Sequence, residues 1–255
     1  MSKQTCSQCN AEVGLLQQVK MRDGNYLCRA CANNTHPLFA PASERSLAVY
    51  EAHLKQLEQG KILYEKLFIP RKKPADKSMK LKKLGGGMIV AKDIGLLAIV
   101  QKRGVILFWG GTPYYMVFRL ADLFKYEYSQ ERDLALGSKA KSEVKHYLNF
   151  AFWDTTGLDE FKVKMASESA CTSAEKYFNE CFGLNRKVKH IAGTLKGHIQ
   201  DVKMAAQGLK TILSKDATDE DKVRGAEQLT QAAKNELYGD RTELIAKADA
   251  AMKQL

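Results

Sequence analysis

The chain has no long apolar run. The longest, residues 94–100, stops at Gln101-Lys102-Arg103, far short of the ~20 residues a transmembrane helix needs. An apolar stretch is also missing behind the first residues. Met1-Ser2-Lys3-Gln4-Thr5-Cys6 leads straight into a polar cysteine pair, so no secretory leader is expected. Ser2 stands where a myristoylation signal needs Gly, and Met252-Lys253-Gln254-Leu255 carries no prenylation cysteine. Catalytic signatures are absent too: there is no HExxH, G-x-S-x-G, P-loop or kinase set. The five histidines, His36, His53, His146, His190 and His198, form no metal triad. His36, His190 and His198 are read as surface residues, Cys181 as a core thiol on an apolar helix face, and Asp159-Glu160 as solvated carboxylates beside a turn. Together these absences point away from an enzyme and toward a soluble, cytoplasmic binding protein.

What is present begins with charge. The 255 residues are 45% apolar and 27% charged, an ordinary globular mix that excludes global disorder and leaves room for one large domain or two to three small ones. Lys and Arg number 40 against 29 Asp and Glu, a net charge of +11, which favours acidic partners without choosing among them. More than half of the excess lies in residues 41–84. Within that stretch Arg71, Lys72, Lys73, Lys77, Lys80, Lys82 and Lys83 face a single anion, Asp76, with Pro74 among them. So dense a run of like charge disfavours a packed core and reads as an exposed linker. It is either a solvated tether that keeps two modules apart or an electrostatic footprint. Beside an anionic lipid surface such residues contribute about 1 kcal/mol each, and on nucleic-acid phosphates they give salt-dependent binding. No aromatic residue interleaves the run to suggest base stacking.

The most specific signal is a set of four thiols. Cys6-Ser7-Gln8-Cys9 and Cys28-Arg29-Ala30-Cys31 form two C-x2-C pairs separated by 18 residues. Each pair makes a tight knuckle, and two knuckles complete a tetrahedron of soft thiolates, the arrangement structural Zn2+ prefers. Residues 15–21 read as a strand, Arg22-Asp23-Gly24-Asn25 as a turn and Tyr26-Leu27 as its return. With four thiolates the ion keeps no open position for water, so a structural role is expected; a redox CxxC would want a βαβ context, which is lacking.

Further along, Leu47, Tyr50, Leu54, Leu57, Tyr64 and Phe68 make an apolar stripe on one helix face, with Ser43 and Glu44 as the expected start and Pro70 as the end. Gly85-Gly86-Gly87 reads as a hinge. Strands are expected over 88–91, 96–101, 105–109, 115–120, 146–153 and 161–165, with another short segment ending at 124–128, a loop over 130–142 and a turn at 154–157. A helix follows from Glu168 to a stop at Gly183, with Thr172-x-x-Glu175 as a capping box and Ala174, Tyr177, Phe178 and Cys181 on one face.

About seven short antiparallel strands closed by one amphipathic helix resemble the pleckstrin-homology-like, or GRAM-like, barrel, with Val117-Phe118-Arg119-Leu120-Ala121-Asp122-Leu123-Phe124-Lys125-Tyr126-Glu127 similar to its recurrent strand–turn–strand element. With the ribbon, the chain resembles uncharacterised bacterial proteins that pair a four-Cys zinc ribbon with such a domain. The resemblance implies binding of lipid headgroups, peptides or proteins rather than catalysis.

In the tail, Leu195, Ile199, Val202, Ala206, Leu209 and Leu213 keep heptad spacing, and Thr218-x-x-Asp221 opens a second helix. An intramolecular hairpin, self-association and docking on a partner all remain open. The expected architecture is α+β multidomain: a zinc ribbon over 1–40, an amphipathic helix over 41–70, a basic, glycine-containing linker over 71–87, the barrel with its helix over 88–185 and a helical hairpin over 186–255. The expected function is that of a non-catalytic zinc-binding adaptor that contacts protein partners and, through its basic linker, an anionic lipid surface. The alternative is a nucleic-acid-associated factor using the ribbon and the basic run on phosphates.

Overall fold

Two small antiparallel ladders build the N-terminal region. Strand β1 (Gln4–Thr5) pairs with β2 (Glu12–Val13), and β3 (Gln18–Lys20) pairs with β4 (Tyr26–Cys28), with Gln18 opposite Cys28. The Asp23-Gly24 turn closes the second ladder as expected, Gly24 donating to the Met21 carbonyl. The first half of the expected strand over 15–21 is instead a β-turn, in which Gln17 N–H donates to the Gly14 carbonyl at 3.0 Å. A short helix, α1 (Arg29–Ala32), follows β4 directly. This computed structural model describes residues 3–73, 79–104, 111–132, 144–153, 160–184, 218, 223, 226–227, 230 and 239–255.

The striped segment folds as α2 (Leu47–Leu63), continued by a π-helical turn over Tyr64–Phe68 that ends before Pro70. Its start differs from expectation. Residues 42–44 form a separate 3-10 turn and Arg45 is extended, so Ser46 becomes the cap, its Oγ accepting from Val49 N–H at 3.4 Å. The Asp23 carboxylate accepts from Leu47 N–H at 2.8 Å, adding a favourable negative charge at the helix N-terminus.

Residues 82–119 form a four-stranded antiparallel sheet in the order β5 (Lys82–Gly85), β6 (Met88–Ala91), β7 (Leu96–Arg103), β8 (Thr112–Arg119). Leu96, Leu97, Ala98 and Ile99 on β7 are all buried, which is why this strand reads as a continuous apolar run rather than an alternation. The segment expected as linker is therefore structured at both ends. Lys82 and Lys83 lie on edge strand β5, and Arg71 is held in a 3-10 turn, its Nε 2.7 Å from Asp93 Oδ2 and its Nη1 donating to the Leu67 carbonyl. Gly85-Gly86-Gly87 is a hairpin turn rather than a hinge. All three have positive φ, and Val100 N–H donates to the Gly87 carbonyl, which ties the turn to β7. Only glycine takes these angles without strain. The expected strand over 105–109 lies outside the described residues.

A 3-10 turn at Leu120–Asp122 carries the chain into a second, three-stranded antiparallel sheet, ordered β11 (Glu160–Met165), β10 (Val144–Phe152), β9 (Leu123–Arg132). Strand β9 runs to Arg132, so residues 130–132 are strand where a loop was expected; residues 133–143, and the turn expected at 154–157, lie outside the described residues. Phe118 of β8 stacks on Phe152 at 4.2 Å and lies 6.2 Å from Phe161, joining the two sheets through aromatic contacts. Among the described residues the strands form several small sheets and no closed barrel.

The helix expected from Glu168 is α3 (Glu168–Phe182). Its cap is Ser167, whose Oγ accepts from Ala170 N–H at 3.2 Å, while the Thr172 hydroxyl bonds back to the Glu168 carbonyl, so no capping box forms at Thr172. The buried positions are Cys171, Ala174, Phe178 and Phe182, a face one step around from the expected one; Cys181 is half-buried. The last helix is α4 (Thr242–Met252). The chain divides into two compact units, Met1–Ser173 with Leu244–Leu255, and Ala174–Glu243. Within the second unit the Arg241 guanidinium sits 3.9 Å from the Phe182 ring. The heptad segment over 195–213, with His190 and His198, lies outside the described residues, and so does most of the second expected helix.

Helix α2 is common to two cores of the first unit. Its first turns place Tyr50, Leu47 and Leu54 with Cys6, Met21 and Leu27. Its last turns place Tyr64, Leu67 and Phe68 with Ala91, Leu96 and Ala98 of the sheet and Ala248 and Ala251 of α4, each large side chain contributing about 1.5–3 kcal/mol by burial. Between the two, Gly60 lets the helix backbone touch strand β8, where a Cβ would collide with the Tyr115 carbonyl. His36 and His53 fill the joint. Both are buried, correcting the surface reading of His36, which tucks under α2 instead of following the polar knuckle outward. His53 Nε2 accepts from His36 N–H at 3.1 Å and its ring stacks on Phe39 at 4.0 Å; His36 Nδ1 accepts from Leu38 N–H at 3.2 Å.

Two expectations follow from this joint. Gly60→Val forces the helix off β8 and should lower unfolding free energy by about 1–3 kcal/mol in urea titration. Burial pushes the His36 imidazole down to about 3, with the charge of His53 adding to it, and burial takes His53 down to about 4. Unfolded histidines titrate near ~6.5, so the unfolded chain binds more protons between that value and the folded ones, and stability is lost as pH falls through the window. The urea midpoint should drop more steeply from pH 7 to 5 in the wild type than in His53→Gln, the four thiols being intact in both.

Candidate metal centre

Each cysteine pair reaches the centre by a different local device. The first knuckle turns at Asn10, which adopts φ 59 and donates to the Cys6 carbonyl at 2.8 Å; asparagine tolerates this left-handed geometry better than most residues. The second turns into α1, where Cys28 is the N-cap and its sulfur accepts from Cys31 N–H at 3.3 Å. Pairing of Gln18 with Cys28 brings the second knuckle back over the first, and Cys28 N–H donates to Cys6 Sγ at 3.2 Å.

The result is four sulfurs, from Cys6, Cys9, Cys28 and Cys31, all within 4.8 Å of one another. Cys9 Sγ and Cys28 Sγ are 3.8 Å apart, with no disulfide among the six cysteines. Zn–S bonds of about 2.3 Å set the edge of a tetrahedron at about 3.8 Å, so the spacing suits a four-sulfur metal site. The electrostatics ask for a cation. Burial works against the Cys6 thiolate, but the backbone N–H groups of Cys28, Cys9 and Gln8 outweigh it and bring the group down to about 6. Cys31 is pushed up instead, by burial and by the neighbouring sulfurs. Four thiolates in this volume repel one another unless a cation shares them.

Tyr50 covers the centre from α2. It is fully buried, its hydroxyl donates to the Cys31 carbonyl at 2.8 Å, and burial beside the four sulfurs raises its pKa. Tyr50 and His53 escaped the sequence reading as members of the site because an aromatic at helical spacing and a lone histidine carry no metal signal. The clue available was position: both fall on the first turns of the first long helix after the second knuckle. His53 offers no further ligand, since its Nε2 already holds the His36 N–H. A shallow groove of about 450 Å³ opens beside Cys31, where Arg103 Nη1 donates to Asn33 Oδ1 at 3.2 Å and Tyr114 approaches Asn34.

Among the described residues, the structure does not bring the basic run to this centre as ligands. Arg71 is engaged by Asp93 and Leu67. Lys72 is exposed with its Nζ 5.4 Å from the Tyr64 ring centroid, and Lys73, Lys80, Lys82 and Lys83 are exposed; Lys77 lies outside the described residues. Among the described residues no helix is long and apolar enough to cross a membrane.

Residues 5–53 match the model of a family described as a domain of unknown function (DUF4428). The matched segment holds the four thiols, the His36 turn and the first turns of α2, and it ends at the histidine that accepts the His36 N–H. No curated protein and no solved structure matches the chain.

Proposed function

We propose that the protein is a non-catalytic, zinc-binding adaptor. The observation that carries the reading is the closed set of four sulfurs. Four thiolates complete a tetrahedral ion and leave no position for a substrate or an activated water, so the ion serves to hold the ribbon together. The ribbon's own forty residues bury little surface, so metal binding adds to the cohesion that its packing on α2 provides.

The reading of residues 88–185 as a pleckstrin-homology-like module is supported by an antiparallel succession of three strands, β6 to β8, then three more, β9 to β11, followed by α3; β5, which pairs with β6, lies ahead of the expected start. On this reading the module and its helices contact protein partners. The exposed lysines Lys72, Lys73, Lys80, Lys82 and Lys83 add affinity for an anionic surface. Arg71 contributes less, because Asp93 already neutralises it.

Purified protein should carry one zinc per chain, lost in Cys6→Ser and in Cys28→Ser; reductively purified protein without metal would overturn the assignment. Gel shifts with non-specific DNA and RNA across a salt series separate the adaptor from a nucleic-acid-associated factor. No shift at low salt is expected, whereas binding that falls steeply with salt favours the factor.

A further inference from the structure

The ribbon presents an apolar tip that its own fold does not use. Gln17 N–H donates to the Gly14 carbonyl, so Leu15 and Leu16 are the two central residues of a β-turn. They are 61% and 84% exposed. Central turn positions in water select Gly, Pro, Asn, Asp and Ser, and the neighbouring ribbon turn obeys that rule with Asp23-Gly24. Leu15 and Leu16 belong to neither of the two cores described above, and the backbone at Gly14 beside them is equally open, a Cβ there meeting nothing within 4 Å.

The base of the turn is rigid. Val13, just before it, is buried, and Arg29 N–H donates to the Gln17 carbonyl just after it, one residue past the ligand Cys28. Arg29 is thereby held by its backbone to Gln17, the last residue of the turn, with its side chain exposed. Residues 13–22 and 24–31 hold Lys20, Arg22 and Arg29 and no carboxylate. The acid between them, Asp23, sits at the other turn and is occupied by Leu47 N–H.

We propose that the turn Gly14-Leu15-Leu16-Gln17 inserts into the interfacial layer of an anionic lipid bilayer, with Arg29 at the level of the headgroups. A bilayer fits this feature better than a protein groove does. A stable protein interface takes about 800 Å² from each partner, far more than two leucines on a convex turn offer, whereas a membrane needs no complementary shape. Shallow apolar insertion holds when a second, electrostatic signal accompanies it, and the net charge of +11 supplies one. Because the metal centre fixes the turn beforehand, little ordering is required on binding. The inference rests on the anionic-surface part of the proposed function and adds a contact separate from the basic run.

The test is flotation of the zinc-loaded full chain with phosphatidylcholine vesicles containing or lacking phosphatidylserine. Three proteins are compared: wild type, Leu15→Ser/Leu16→Ser, and Lys80→Gln/Lys82→Gln/Lys83→Gln. The leucine variant should bind the anionic vesicles at least tenfold more weakly at unchanged zinc content. Leu16→Trp should gain a blue-shifted emission, read against the wild type, on anionic vesicles. Equal binding by wild type and leucine variant, with loss confined to the lysine variant, overturns the insertion and leaves the adaptor reading standing. No vesicle binding by the wild type overturns both the insertion and the anionic-surface part of that reading. A blue shift of the Leu16→Trp variant that needs a protein partner instead of vesicles assigns the tip to a protein and also overturns the proposal.

Discussion

Four sulfur atoms confined within 4.8 Å of one another impose the strongest demand on this molecule. Thiols packed so closely either stay protonated and gain little, or ionise and repel. A divalent cation reverses that balance and turns the most unfavourable part of the ribbon into its source of cohesion. Everything local serves the arrangement. Asn10 bends the first knuckle, Cys28 caps the helix that presents Cys31, and backbone N–H groups aim at Cys6 and Cys28. Tyr50 then seals the site from α2.

Through Tyr50 that demand is passed to the rest of the first unit. Helix α2 gives its first turns to the metal centre and its last to the four-stranded sheet and α4. Ribbon and sheet are thus parts of one unit, as the division of the chain also shows. A cut at residue 40 would leave the thiols without their lid, and a cut near residue 70 would strip the sheet of Tyr64, Leu67 and Phe68.

The four-sulfur cluster was legible in the sequence because its chemistry is written in residue types at fixed spacing. Cys6, Cys9, Cys28 and Cys31 need no tertiary knowledge to be paired. Most of the strands were legible too, since β6 and β7 are apolar runs between turn residues and β10 is rich in aromatic and apolar residues. What escaped was decided by tertiary contact. Gly85-Gly86-Gly87 has the composition of a hinge, and only its bond to Val100 makes it a turn. Arg71 looks like one cation in a basic run until Asp93, 22 residues on, claims it. His36 follows a polar knuckle and still ends buried, because α2 folds back over it. Caps were misplaced by a few residues, Ser46 and Ser167 replacing Ser43 and Thr172, since neighbouring hydroxyls compete and local backbone geometry picks the winner. Whether the two sheets belong to a pleckstrin-like module is a matter of how they close, which strand texture does not encode.

The position of Lys82 and Lys83 on β5 has a meaning apart from any partner. Among the described residues β5 lies at the edge of the four-stranded sheet, paired with β6. An edge strand is a template on which a strand of another molecule can grow. A charged side chain on such a strand disfavours that growth, because the added strand would have to lie against it. Lysines on such a strand are one of the ordinary ways in which a sheet is kept from pairing with another, a role that needs no anionic partner.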